Sequence, residues 1–582
     1  MTPLLRSSAL ALACLAVGAA AVVQPASADA GHDDRGAGTA AHATDLKSLA
    51  AAARPAHSDR AVTRRAHDGT PFVMDQWAEP ADEPTTDDEV LTAAQAEAVT
   101  GAALADTFAL HSKPGSSRTI YLDFDGGSLL STNSWLLNGL STLLFPGWSI
   151  DSSSSFSSTE RAIIQEVWAR VAEDYAAFDV DVTTEAPPDG ALWRSSNSDT
   201  TFGTRVAFTS GTRVQTAICG GPCGGIAWIG VFDAITKGET RSPAWVFPVS
   251  LGNRAKTMAE AASHEAGHNL GLTHDGTTSE SYYSGTSLWG PIMGSPYNAA
   301  ISQWSRGSYP SANNRQDDNA TLVSSGIPLR TDEAGDTVAT AAPLTSLPNH
   351  RGYITRSTDV DTYSVDQCSG SVTVHASGAP VGPNLDIGLD VRTADGRVLA
   401  SAAPPTERTA NGVSGMDAAV TLPLNGGPFY ISVRGTGSGK LWTSGGYDSY
   451  GSLGSYTLYA NGCLGSPATP PPGIGGAGSS SARPSRPARP RVASGPRGGA
   501  RTLKVAWSPA VSRSGPITGY RLDAYRIGRS GRVIAVRSKV VSPRARTARL
   551  VLGTGRWSVQ VRARNQAGWS APSVRSVGVR AR

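Results

Sequence analysis

Between residues 116 and 330 the chain switches between short alternating runs and stretches of helical period. Thr119-Ile120-Tyr121-Leu122-Asp123-Phe124 alternates and predicts a strand. Thr159 is placed to cap a helix whose apolar positions are Ile163, Ile164, Val167, Trp168, Val171, Tyr175 and Phe178. Val180 and Val182 restart a strand, and Val206-Ala207-Phe208 and Ala244-Trp245-Val246-Phe247 supply two more. Lys256 to Leu270 has no proline, many alanines, and apolar Met258, Ala261, Ala262 and Leu270, which predicts a second long helix. This order suits an α/β domain with a mixed sheet.

From about residue 331 the pattern becomes short strands parted by Gly, Asp and Asn turns. Residues 359–365, 385–391, 429–433 and 456–459 fit an all-β sandwich over 331–465. Residues 466–492 are rich in Pro, Ser and Gly and read as a linker. Residues 493–582 form a last segment, with Trp507, Tyr520, Leu522, Tyr525, Trp557, Val559 and Val561 as its candidate core. At the other end, residues 1–28 read as a signal peptide, with Arg6, an apolar run from Ala9 to Val23, and small residues Ala26-Ser27-Ala28. Residues 29–115 are polar and alanine-rich and precede the α/β domain as a propeptide would.

At 582 residues, 40% hydrophobic and 17% charged, the chain holds several globular domains. No stretch beyond the signal is long enough and apolar enough for a membrane span. The signal itself makes a secreted, extracellular protein the expectation, and a monomer is expected. Past the signal, Cys219, Cys223, Cys368 and Cys463 remain, an even count that reads as disulfides in a secreted chain. Of three pairings, Cys219–Cys223 and Cys368–Cys463 are favoured. Charge is strongly segregated. Residues 483–582 carry 23 basic residues and one acidic, Asp523, which leaves 28 basic and 47 acidic in the first 482 from totals of 51 and 48. A basic tail can adhere to an acidic cell-surface polymer, or merely stay soluble by it.

The chemistry concentrates in residues 264–275, HEAGHNLGLTHD. His264 and His268 stand four apart, so on a helix both imidazoles face one side and can hold one Zn²⁺. Glu265 lies beside the first ligand and can act on a water without ligating the metal. Gly271 can end the helix in a left-handed turn. His274 then arrives as a third ligand, leaving one position open, as catalytic rather than structural zinc sites do. The plainer reading is a core helix with two satisfied histidines.

HExxHxxGxxH is the metzincin signature, and the segment resembles the adamalysin/reprolysin branch through Gly267, Asn269, Leu270 and Asp275. The resemblance covers roughly residues 116–325. It implies a methionine under the zinc, for which Met293 in Pro291-Ile292-Met293-Gly294 is the candidate. It also implies a substrate-binding edge strand at Gly225, Ile226, Ala227 and Trp228. A tyrosine ligand two residues past the methionine is not expected, since Ser295 stands there. Tyr297 and Trp304 are candidate pocket walls. Residues 331–465 resemble a pre-peptidase C-terminal domain, whose aspartates here (Asp332, Asp336, Asp359 and Asp361) offer a Ca²⁺ site or simply line turns and surface. The last segment resembles a fibronectin type III domain. The fold expected is therefore multidomain: an α/β metzincin catalytic domain with a mixed sheet and zinc helix (116–330), then two all-β sandwich domains (331–465 and 493–582).

The function implied is a secreted zinc metalloendopeptidase that hydrolyses peptide bonds by a zinc-bound water with Glu265 as general base. A binding protein with a relic zinc domain, or a metal hydrolase acting on a non-peptide amide, are the competing readings. Some metzincin propeptides quench the zinc with a cysteine thiolate, but no cysteine lies between residues 29 and 115. Asp75 offers a carboxylate there, yet a solvated aspartate is the expectation.

Overall fold

The computed structural model describes residues 63–66, 69–75, 90–136, 142–188, 190–236, 238–344, 350–366, 368–409, 412–439, 445–461, 484–495, 501–512, 517–527, 533–565, 568–570 and 572–581. All lie in one unit, Pro55–Arg582. The signal-peptide segment, Cys463 and most of the linker fall outside the described residues.

A seven-stranded sheet organises the first part of the chain. Its strands are β1 (Arg64–Arg65), β2 (Pro71–Asp75), β3 (Arg118–Asp123), β6 (Asp181–Thr183), β7 (Phe202–Phe208), β8 (Gly225–Trp228) and β9 (Ala244–Val246); β4 (Gly126–Leu130) and β5 (Thr142–Pro146) form a separate hairpin. The order is β1-β2-β8-β9-β7-β3-β6. Strands β6, β3, β7 and β9 run parallel, while β8 and β2 are antiparallel additions. The sheet is mixed, and β8 would be its edge if β1 and β2 were absent.

Five helices accompany it among the described residues: α1 (Ala93–Thr100), α2 (Ser158–Asp174), α3 (Thr212–Cys219), α4 (Ala255–Asn269) and α5 (Asp318–Ser324). Helix α2 starts two residues earlier than the pattern suggested. Ser157, not Thr159, is the cap: its hydroxyl accepts from the Glu160 amide while Glu160 bonds back to the Ser157 amide. Helix α4 is buried along its whole length, which explains its run of small residues. Its core partners include Ile164, Val167 and Val171 of α2 and Val206 and Phe208 of β7.

Residues 342–460 form two facing sheets. One holds the strands Val360–Val365, Ile387–Arg392 and Phe429–Gly435; the other holds Ser369–Gly378, Ala418–Asn425 and Gly454–Ala460. This sandwich shares one continuous core with the first part of the chain. The last segment has its own core of Leu503, Val505, Trp507, Tyr520, Leu522, Trp557, Val559 and Val561. Its first strand, Arg491–Ser494, pairs with Thr502–Ala506, so the strands of this segment begin slightly before residue 493.

Candidate functional site

Helix α4 presents His264 and His268 from one face, one turn apart. Gly271, at φ +88°, reverses the chain. The Gly271 amide donates to His268 O and the Leu272 amide to Gly267 O, both at 2.9 Å, which closes the helix end. His274 then returns so that its Nε2 lies 3.1 Å from His268 Nε2. The His264 Nδ1–H donates to Ile292 O at 2.9 Å and the His268 Nδ1–H to Leu272 O at 2.8 Å. Those bonds fix the tautomer, so both rings turn Nε2 toward the common point.

Asp75, at the end of β2, completes the cluster. Its Oδ1 is 2.7 Å from His274 Nε2, and its Oδ2 is 3.6 Å from His264 Nε2 and 3.7 Å from His268 Nε2. The expectation of a solvated aspartate is therefore wrong: Asp75 is 7% exposed. One ligand atom from each of the four residues falls within 4.8 Å of the others. Zinc bonds of about 2.0–2.1 Å give a tetrahedron with edges of about 3.3 Å, close to the separations found here. Three buried atoms of the site, His264 Nε2, Asp75 Oδ2 and Glu265 Oε2, have no hydrogen-bond partner. Orphaned nitrogen and carboxylate atoms converging on one point fit a cation.

The sequence bearing on this site matches a known family. Residues 178–275 match the model of the reprolysin-like metallo-peptidases of family M12B. The matched stretch runs from Phe178 to Asp275, so it holds β6 to β9, α4 and all three histidines, but neither Met293 nor Asp75. No curated protein matches the chain. Among solved structures, the chain is similar to the pre-peptidase C-terminal domain of a collagenase from Bacillus anthracis, at 13% identity over 22% of this chain and 97% of that one, TM-score 0.15. It is also similar to the FN5 domain of Drosophila Lar, at 19% identity over 17% and 92%, TM-score 0.13. A human collagen alpha-1(XX) fibronectin domain gives 27% identity over 18% and 88%, TM-score 0.12. The reprolysin-like match supports a zinc-dependent metallopeptidase, and peptidases act on proteins.

Around the reprolysin-like helix, the other sequence candidates take distinct places. Glu265 is buried against β8, its carboxylate so close to Gly225 that any side chain there would overlap it. Burial, reinforced by the negative charge of Asp75, holds the Glu265 carboxyl well above its ordinary range. Burial would raise Asp75 too, but the His264 and His274 rings outweigh it and hold Asp75 well below. Met293 is fully buried beneath α4, and its carbonyl accepts from the Asp275 amide at 2.8 Å. Strand β8 is held from behind by Asn269, whose Nδ2 donates to Trp228 O at 2.8 Å. Cys219 and Cys223 form a disulfide just before β8, and Cys368 is disulfide-bonded as well. Tyr297 is half-buried near the Asp75 and Glu265 charges. Trp304 is a core residue rather than a pocket wall: it is 3% exposed, and its Nε1 donates to Asp174 O at 2.7 Å.

One contact was not foreseen. Tyr282 donates its hydroxyl to Asp75 Oδ1 at 2.8 Å, and its ring lies 4.3 Å from that of His274, tilted by 45°. Only its place shortly after the third histidine could have singled it out.

A second cluster lies in the sandwich, where Asp332, Asp359 and Asp361 bring one oxygen each within 4.8 Å. Asp336 is exposed and outside it, bonded to the Val360 amide. Among the described residues no helix is long and apolar enough to cross a membrane.

Proposed function

We propose that this protein is a secreted zinc endopeptidase whose ion is held by His264, His268 and His274 and whose general base is Glu265. The observation that carries the reading is the convergence of three imidazole Nε2 atoms, those of His264 and His268 buried and that of His274 partly buried, beside an uncommitted buried carboxylate. When bound, Zn²⁺ acts as a Lewis acid that polarises a carbonyl and lowers the pKa of a water molecule. The histidines' share is orientation: each Nδ1–H held by a backbone carbonyl leaves Nε2 as the donor atom. Glu265 Oε2 takes the proton of the attacking water and returns it to the leaving amine nitrogen. Strand β8 offers its backbone to an extended peptide, which then lies across Glu265 and the histidines. Met293 packs under the helix and takes no part in proton transfer.

In this reading residues 1–28 direct secretion and 29–115 form the propeptide. Residues 116–330 carry the catalysis, 331–465 the sandwich, 466–492 the linker and 493–582 the basic module. That module suits an acidic surface polymer. The Asp332, Asp359 and Asp361 cluster suits Ca²⁺, because Asp359 Oδ1 and Asp361 Oδ1 are buried with no hydrogen-bond partner.

Zinc content and casein hydrolysis of the processed protein, beside its Glu265→Gln variant, test the proposal. The wild type should digest casein, while the variant should keep its zinc and lose at least about a hundredfold in rate, the usual scale of a general base. Retained activity in the variant would remove Glu265 from the mechanism.

A further inference from the structure

The strand β2 lies where the proposed substrate would lie. It pairs antiparallel with β8 over Phe72↔Trp228, Val73↔Ala227, Met74↔Ile226 and Asp75↔Gly225. The pairing is extended by the Ile229 amide donating to Pro71 O at 2.9 Å and the Gly224 amide donating to Asp75 O at 3.1 Å. Side chains of a strand alternate between faces. Val73 and Asp75 therefore point toward the α4 side and its histidines, while Phe72 and Met74 point to the other face. There Phe72 sits edge-on to Trp228 at 5.2 Å and to Trp135 at 5.9 Å, closing a small aromatic cluster.

We propose that residues 71–75 are a built-in inhibitor, in which Phe72 fills an aromatic subsite formed by Trp135 and Trp228 and Asp75 takes the metal position that a catalytic centre keeps open. The inference rests on the reading of the three histidines as a metal centre. It also names a substrate feature: an extended peptide with an aromatic side chain three residues before the residue at the metal.

The two anchors act differently. A buried carboxylate with one oxygen unpaired is costly unless a cation stands beside it, so Asp75 belongs in this position only together with the histidines and their ion. Tyr282 fixes the other oxygen and so aims the free one. Phe72 contributes apolar area and edge-to-face contacts with both tryptophans. Trp135 is itself pinned, its Nε1 donating to Pro243 O at 2.8 Å, so the subsite persists after the strand leaves. With β2 in place, the cleft edge has no free backbone and the metal has no free position. Activity requires departure of this strand.

The test uses the uncut full chain loaded with Co²⁺, in a Glu265→Gln background that prevents self-cleavage. Acetohydroxamate is titrated while the visible absorption of the cobalt is followed, with Asp75 intact, with Asp75→Ala, with the isosteric Asp75→Asn, and with Phe72→Ala. If the latched state exceeds nine-tenths of the population, both Asp75 variants bind hydroxamate at least about tenfold more tightly than the intact chain, with Phe72→Ala between. Equal affinities in all four chains, each with cobalt bound, would overturn the latch. Failure of every chain to take up cobalt would overturn the metal centre itself, and the absorption spectrum separates the two results.

Discussion

Met293 and Gly267 are in such close contact that a Cβ on Gly267 would stand 2.8 Å from the Met293 sulfur. The same Cβ would be 3.3 Å from Leu272 Cδ1 and 3.5 Å from Trp304 Cζ3. The glycine lets the metal-facing helix settle onto its floor, and the methionine fills the space the glycine leaves. Alanine at Gly267 would gain up to about 1 kcal/mol in helix propensity. Overpacking would cost about 1–3 kcal/mol, because the fully buried Met293 has little room to move.

The coupling between these residues gives a first prediction. Met293→Ala alone should cost about 2–5 kcal/mol. Gly267→Ala should be destabilising in the wild-type background and neutral or stabilising with Met293→Ala, since the new methyl enters vacated space. A double-mutant cycle on thermal midpoints measures this, with an expected coupling above about 0.5 kcal/mol. Additive effects would mean that the contact carries no energy.

The histidine cluster was legible because its spacing is local. Two ligands one turn apart and a glycine three residues later fix most of the geometry within a dozen residues. The sandwich was legible because its strands alternate and its turns are rich in Gly and Asp. Strand β2 was not. Phe72, Val73 and Asp75 are all buried, so its polarity does not alternate with one wet face. One face is covered by Trp135 and Trp228 and the other by the α4 side, elements far along the chain. A five-residue run cannot announce partners that lie from about sixty to nearly two hundred residues away. Asp75 looked solvated for the same reason, and Tyr282 sits in a loop of Ser, Tyr and Gly that carries no signal of its partner. The Ser157 cap was missed by two residues, because Thr159 and Ser157 are equally good cap types and only Glu160 at the third helical position decides between them.

Calcium binding by the sandwich is the second prediction. Asp361 is fully buried, its Oδ2 accepts from Tyr456 at 2.6 Å, and Asp359 Oδ2 accepts from the Thr355 amide and hydroxyl, both at 2.7 Å. Asp359 Oδ1 and Asp361 Oδ1 have no hydrogen-bond partner, and Asp332, whose Oδ2 accepts from Arg356 at 3.0 Å, brings one oxygen within 4.8 Å of theirs. Burial, with added repulsion from Glu333, Asp359 and Asp332, pushes Asp361 up to about 9 despite the Tyr456 bond. A divalent cation would remove that penalty. Extracellular calcium modules bind at about 0.1–1 mM, so about 10 mM Ca²⁺ should add about 1.4–2.7 kcal/mol of stability. Asp361→Asn should abolish the shift in thermal midpoint. Equal shifts with Ca²⁺ in wild type and variant would exclude the cluster as the site.

The third prediction concerns the joint between the sandwich and helix α2. Glu173 reaches from the helix end to Ser455: its Oε1 accepts from the Ser455 amide at 3.0 Å and its Oε2 from the hydroxyl at 2.7 Å. Next to it, Asp174 accepts from Asn384 of the sandwich at 2.8 Å and from Ser263, the neighbour of His264, at 2.5 Å. The sandwich is thus tied through α2 to the helix that carries the histidines. Burial dominates the Glu173 carboxyl and, against the Ser455 bonds, raises it from 4.5 to about 7. A carboxyl raised on folding binds more protons folded than unfolded between those values. Stability is therefore highest below about pH 4.5 and falls as the pH climbs through 7, by about 3 kcal/mol at most from this group. Glu173→Gln keeps an acceptor for the Ser455 amide and cannot ionise. Its thermal midpoint should match the wild type near pH 5 and exceed it near pH 8. A variant less stable than the wild type at pH 8 would mean that the charged form is the one this joint favours.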